Sequence, residues 1–227
     1  RQRRNQPGCR SQNRVLLLLF WIVSCLSVCP ITEAKMDLEI DGVDGPVKDN
    51  IELHLSKWEV LPSDNIEGIE EKFSKPIQQA LRAMGYYEST VEFRLEGDEL
   101  TLTIDPGEPV LWSKTNIQLL HDGYSMDVRL QAVIDSNPFI IGEPINHQIY
   151  ENYKKRLQNS ALEFGYLDAK FSQSQLKINP NNHEASVDLV LRVGQRYKIG
   201  QVVYTETTIR KKLLDTVTEV KTGEWYS

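Results

Sequence analysis

Ala80-Leu81-Arg82-Ala83-Met84-Gly85-Tyr86-Tyr87 recurs as Ala161-Leu162-Glu163-Phe164-Gly165-Tyr166-Leu167. Each stretch closes a helical pattern and precedes an alternating strand pattern. Downstream, Asp105-Pro106-Gly107-Glu108-Pro109-Val110 is echoed by Arg192-Val193-Gly194-Gln195-Arg196-Tyr197. The spacings, 80 residues from Gly85 to Gly165 and 87 from Gly107 to Gly194, exceed the roughly 20–50 residues of a solenoid repeat. The chain therefore reads as tandem copies of one small α+β domain.

Working outward, the first copy opens with an alternating strand at Met36–Ile40. Val47, Ile51, Leu55 and Trp58 then fall on one helix face. A second helical series runs Ile66, Ile69, Phe73, Ile77, Leu81, Met84. Pro76 interrupts it, so either this helix bends there or its main part starts at Pro76. Gly85 closes it, because a left-handed C-terminal cap favours a residue without Cβ. Thr90–Leu95 and Leu100–Ile104 alternate as two strands around a hairpin turn at Gly97-Asp98. The order is β-α-α-β-β.

The second copy repeats that order. Asn116–Leu120 is a strand and Val128–Ile134 a short helix. Asn146 suits an N-cap. Ile149, Tyr153, Leu157, Ala161 and Phe164 line the long helix, which Gly165 caps. Strands over 169–178 and 186–193 follow. A third copy begins with a strand over Ile199–Tyr204 and a short helix marked by Ile209, Leu213 and Val217. There Lys221-Thr222-Gly223-Glu224-Trp225-Tyr226-Ser227 matches Ile140-Ile141-Gly142-Glu143-Pro144-Ile145-Asn146. The sequence stops where the next helix should start, so the chain is read as a fragment of a longer protein. The expected organisation is 1–34, 35–112, 113–195 and 196–227.

The first of these segments is read as a secretory signal peptide. Arg1, Arg3, Arg4, Arg10 and Arg14 precede an apolar run from Val15 to Val23, and Thr32-Glu33-Ala34 offers a cleavage site after Ala34. The run is shorter than the ~20 apolar residues that span a bilayer. Leu26-Ser27-Val28-Cys29 fits a lipoprotein box poorly, since Val28 stands where a small residue belongs. Cys9, Cys25 and Cys29 all lie in this segment, so the exported part has no disulfide framework. The whole chain carries −6, and removing the five leader arginines makes the remainder more acidic. That balance excludes a basic nucleic-acid footprint.

No nucleotide-binding, zinc-protease or serine-hydrolase motif occurs. His54, His121, His147 and His183 lack ligand spacing and read as surface or turn histidines. Asp41, Asp44 and Asp49 crowd one loop without the ligand order of a calcium-binding loop. No enzyme, cofactor or metal is expected. Tyr86, Tyr87 and Tyr166 read as aromatics packed on the core end beside the capping glycines.

The β-α-α-β-β order, the helices ending in Gly85-Tyr86 and Gly165-Tyr166, and the glycines at 107 and 194 resemble POTRA domains. These are the periplasmic modules of the outer-membrane assembly family that includes BamA and TamA. Leu81–Tyr87 running into Val91-Glu92-Phe93, and Tyr150–Leu157 followed by Gly165-Tyr166, are most similar to TamA-like members. The resemblance covers residues 36–227. It implies tandem POTRA domains, an outer-membrane barrel beyond this sequence, an inner-membrane-anchored TamB-like partner, and unfolded outer-membrane protein or autotransporter clients. It places this region in the periplasm of a Gram-negative bacterium. Other readings are a different barrel-assembly factor, a two-partner secretion transporter, or a soluble periplasmic adaptor.

The family pattern puts a usable sheet edge on the strand after each long helix, here Ser89–Leu95 and Asp168–Leu176. Val91, Glu92, Phe93, Arg94, Leu95, Lys170, Phe171 and Ser172 are the candidate contact residues. An edge strand offers unpaired main-chain groups to an incoming strand. Glu92, Arg94 and Lys170 would equally serve as charges that guard an edge. Prolines at Glu92 and Arg94 are expected to block docking without unfolding the domain.

Overall fold

Alternation and glycine punctuation place the elements much as the sequence suggests. The computed structural model describes residues 37–58, 64–121, 123, 127–203, 205, 208, 210, 213 and 220–226. The predicted export segment ending at Ala34 lies outside them, as do most residues of the predicted short helix in the third copy.

In the first unit, β1 (Asp37–Asp41) leads into α1 (Gly45–Leu55) and α2 (Ile66–Ala83), then β2 (Thr90–Glu96) and β3 (Glu99–Asp105). The second unit has β4 (Leu111–Leu120), α3 (Val128–Asp135), α4 (His147–Glu163), β5 (Lys170–Asn179) and β6 (Glu184–Arg192). Each unit holds one three-stranded sheet with the last strand in the middle, in the orders β1-β3-β2 and β4-β6-β5. The first strand of each pairs parallel with the centre and the other antiparallel.

Each sheet buries one face. Leu100, Leu102 and Ile104 of β3 pack with Ile51, Ile69, Phe73, Ile77 and Leu81 from the helices. Ala185, Val187, Leu189 and Leu191 of β6 meet Leu130, Tyr150, Tyr153, Leu157 and Ala161. Period-two strands thus face helices whose apolar residues recur every three or four positions.

Several expectations need correction. α1 ends at Leu55 and Trp58 is exposed beyond it, so Trp58 does not extend its buried face. α2 starts at Ile66 and runs through Pro76, which is buried within it. Asn65 caps it by accepting the Gly68 N–H at 3.0 Å. β4 starts at Leu111, five residues before the expected strand, so the boundary expected after residue 112 falls within it. A bulge between Trp112 and Lys114 hides the early part: Trp112 is inward on an even number, Ile117 and Leu119 on odd ones. On α4 the buried face begins at Tyr150, and Ile149 is 38% exposed. The strand expected over Ile199–Tyr204 is not formed at residues 199–203, and Tyr204 lies outside the described residues. β1 and β4 are each held by the last strand of their own unit, and the described residues supply no such partner here.

Candidate partner-binding edges

Gly85 and Gly165 end their helices in the left-handed region, at φ 96° and 90°. The Tyr86 N–H donates to Leu81 at 3.0 Å and the Gly85 N–H to Arg82 at 3.1 Å. The Tyr166 N–H donates to Ala161 at 2.9 Å and the Gly165 N–H to Leu162 at 3.0 Å. This paired pattern satisfies the last helix carbonyls.

The glycine carbonyls then reach into the following unit. The Val110 N–H donates to Gly85 O at 2.9 Å, and the Ile145 N–H donates to Val110 O at 2.9 Å. Likewise the Tyr197 N–H donates to Gly165 O at 2.8 Å and the Tyr226 N–H to Tyr197 O at 3.0 Å. A Cβ at Gly85 would lie 3.1 Å from both Ile145 Cγ1 and Ile145 O, and one at Gly165 would lie 2.5 Å from Tyr226 O. The two glycines are therefore junction residues as well as caps, a role invisible to local periodicity.

Tyr87 crosses the same junction. Its ring packs on the second core, and its hydroxyl sits 2.8 Å from His147 Nε2. Burial holds His147 below the ordinary imidazole value, opposed by Glu151, and raises Tyr87, opposed by Arg82. His147 is thus a junction residue rather than the surface histidine expected. His183 occupies a left-handed turn position at φ 50°, 3.6 Å from Glu108. His54 bonds its own helix through Asn50 O.

A cleft of about 560 Å³ opens at the end of the second unit, lined in part by His121, Asp127, Arg129, Tyr166, Arg196 and Trp225. The hydrogen bond from the Arg129 guanidinium to Asp127, at 2.8 Å, holds that carboxyl below the usual range. Arg196 approaches the same carboxylate at 3.9 Å and stacks 5.0 Å from the Trp225 ring centre. These charges satisfy one another. Among the described residues no group of side chains is arranged to hold a metal ion, and no helix is long and apolar enough to cross a membrane.

The candidate contact residues lie on two edge strands, since β2 and β5 each have one strand neighbour. They are not equivalent. β2 pairs with β3 without interruption from Thr90↔Asp105 to Glu96↔Glu99. Val91, Phe93 and Leu95 pack half-buried against the first core, and Thr90, Glu92, Arg94 and Glu96 are exposed. β5 is broken by a bulge between Phe171 and Gln173. Ser172 is the extra residue, and its hydroxyl donates to Val190 O at 3.2 Å. A bulge twists an edge away from further pairing. The mark of it stands in the sequence: Phe171 is apolar on an odd number, Leu176 and Ile178 on even ones.

The hairpin fixes which main-chain groups of β2 are open. Gly97 and Asp98 form a two-residue turn with Gly97 at φ 62°. Such a turn closes on a hydrogen-bonded pair, here Glu96↔Glu99. Antiparallel pairs alternate, so Arg94 and Glu92 also direct their N–H and C=O groups at β3. Val91, Phe93 and Leu95 direct theirs outward. Prolines at Glu92 and Arg94 would therefore break the ladder rather than block the edge.

The family model for POTRA domain TamA domain 1 matches residues 37–106, the span of the first sheet and its helices. The first unit thus matches that domain model, and the second unit repeats its strand topology. Among solved structures, the chain is similar to the BamA POTRA3-5 fragment of Haemophilus influenzae at 14% identity, with a TM-score of 0.45, covering 85% of this chain and 80% of that one. The POTRA1-2 fragment of Omp85 from Anabaena is similar at 12% identity, with a TM-score of 0.33, over 69% of this chain and 92% of that one. CdiB from Escherichia coli is similar at 14% identity, with a TM-score of 0.30, over 72% of this chain and 28% of that one.

Proposed function

We propose that this chain is the periplasmic POTRA region of a TamA-like outer-membrane protein, exported by its leader and cut after Ala34. It binds unfolded outer-membrane protein or autotransporter clients and an inner-membrane-anchored TamB-like partner. Docking is by strand addition at β2. The observation that carries this reading is the uninterrupted register of β2 beside an open side that exposes the main-chain groups of Val91, Phe93 and Leu95. Main-chain bonding supplies affinity without demanding one sequence, which suits a module that handles many clients. The match of residues 37–106 to the TamA first-domain model supports the family assignment.

The test uses two prolines. Val91→Pro removes an outward donor while leaving an apolar side chain on the edge, where proline is tolerated. Glu92→Pro removes a ladder donor. The expected result is that Val91→Pro keeps its circular dichroism spectrum but loses binding to the purified TamB-like partner. Glu92→Pro should instead lose thermal stability. Normal partner binding by folded Val91→Pro would sink the assignment of this edge.

A further inference from the structure

The two sheets present outer faces of opposite character. On the first, Asp37↔Glu99 and Glu99↔Glu96 are successive neighbours, so three carboxylates run in one row across all three strands. Glu39 of β1 and Glu92 of β2 lie on the same face, each beside a threonine or an arginine row of β3 and β2. Among the described residues, the one ion pair in this group joins Arg94 to Glu96 at 2.8 Å. Like charges directly opposite one another destabilise a sheet. The row therefore costs the first unit stability, offset at Glu96 by Arg94 and left uncompensated at Asp37 and Glu99 among the described ion pairs.

On the second sheet the central carboxylate of the face is satisfied by neutral amide donors. Asp188 accepts from Asn116 at 2.8 Å and from Gln173 at 2.5 Å. Lys114, Lys170 and Lys177 stand on that same face by register. Its edge is the bulged one.

These facts meet at β2. An incoming strand there places alternate side chains beside Val91, Phe93 and Leu95, which are half-covered and apolar. Its remaining side chains fall on the acidic face, next to Glu92 and Glu96; Arg94 between them is already paired to Glu96, and Glu99 lies one strand further in. We infer that the β2 edge selects extended segments that are apolar on one face and carry lysine or arginine on the other. This rests on the docking edge proposed above and adds the chemistry of its occupant. The uninterrupted edge calls for a strand, and the acidic face fixes the charge of that strand.

The test titrates the purified protein with three synthetic ten-residue peptides, alternating valine with lysine, with glutamate or with glutamine. Backbone amide protection over residues 90–96 locates the binding. The lysine peptide should bind roughly tenfold or more tighter than the glutamate peptide at low salt, with the gap shrinking as salt screens it. The double variant Glu92→Lys, Glu99→Lys should reverse the order. Equal binding of all three peptides with protection at β2 would overturn the charge selection and leave the edge intact. Binding by none of them would overturn the docking edge, and the selection with it.

Discussion

At Gly85 two separate physical demands fall on one residue. The helix end needs φ 96°, where a side chain costs roughly 1–2 kcal/mol. The junction needs space, because a Cβ there would press on Ile145 and Val110. Gly85→Ala is therefore expected to destabilise the protein by about 2 kcal/mol, at the upper end of that backbone cost, measured by denaturant titration. Gly142→Ala has the first demand but open space, and should cost less. Asn146 accepts from the Gln148 N–H at 2.8 Å and caps α4. Asn146→Ala should cost about 1 kcal/mol. His147, at the start of α4, is favoured neutral in the folded state by burial and by the helix end. Its folded value is depressed below 6.5, so the unfolded chain takes up the proton first. The stability that neutral His147 provides is fully present above the unfolded value of 6.5 and is lost as pH falls from there through the depressed folded value. Comparing wild type with His147→Gln across pH 5–8, an interval of about 3 units around the imidazole range, should show a steeper acid-side loss in the wild type. Parallel curves would remove His147 from the junction account.

Among the elements, β2 and β5 carry the clearest lesson about what a sequence discloses. The alternation of Thr90–Leu95 and the glycine turn at 97 were enough to read a hairpin, while the edge position of its first strand was implied only by the family resemblance. The capping glycines were legible too, since a left-handed helix end leaves a local mark. What stayed hidden was pairing over long separations. Ile145 meets Gly85 and Tyr87 meets His147 some 60 residues apart, with no periodic signal. The bulges at Ser113 and Ser172 did leave a signal, a slip from odd to even among the apolar positions, which a search for simple alternation passes over. To such a search the two candidate edges look alike, although the slip in β5 marks the structural difference between them. Deleting Ser172 would restore regular alternation along β5. The expected outcome is a β5 edge that takes the glutamate-valine peptide, seen as amide protection over residues 170–178. An unchanged edge would show that the bulge is not what closes it.

Across the whole molecule, the junction between the units is built twice from matching parts. Gly85, Val110 and Ile145 at the first correspond to Gly165, Tyr197 and Tyr226 at the second, with hydrogen bonds of 2.8–3.0 Å throughout. The outer faces do not repeat, acidic on the first sheet and amide-rich with lysines on the second. Repetition in the scaffold with divergence on the surface is what tandem binding modules of different specificity require. The central claim is that β2 is where partners dock. Its most direct test is site-specific photocrosslinking in cells producing the complete protein, with the probe at Thr90 on β2 and at Lys177 on β5. The account predicts adducts with client or partner from Thr90 and few from Lys177. Adducts from Lys177 alone, or equally from both positions, would contradict it.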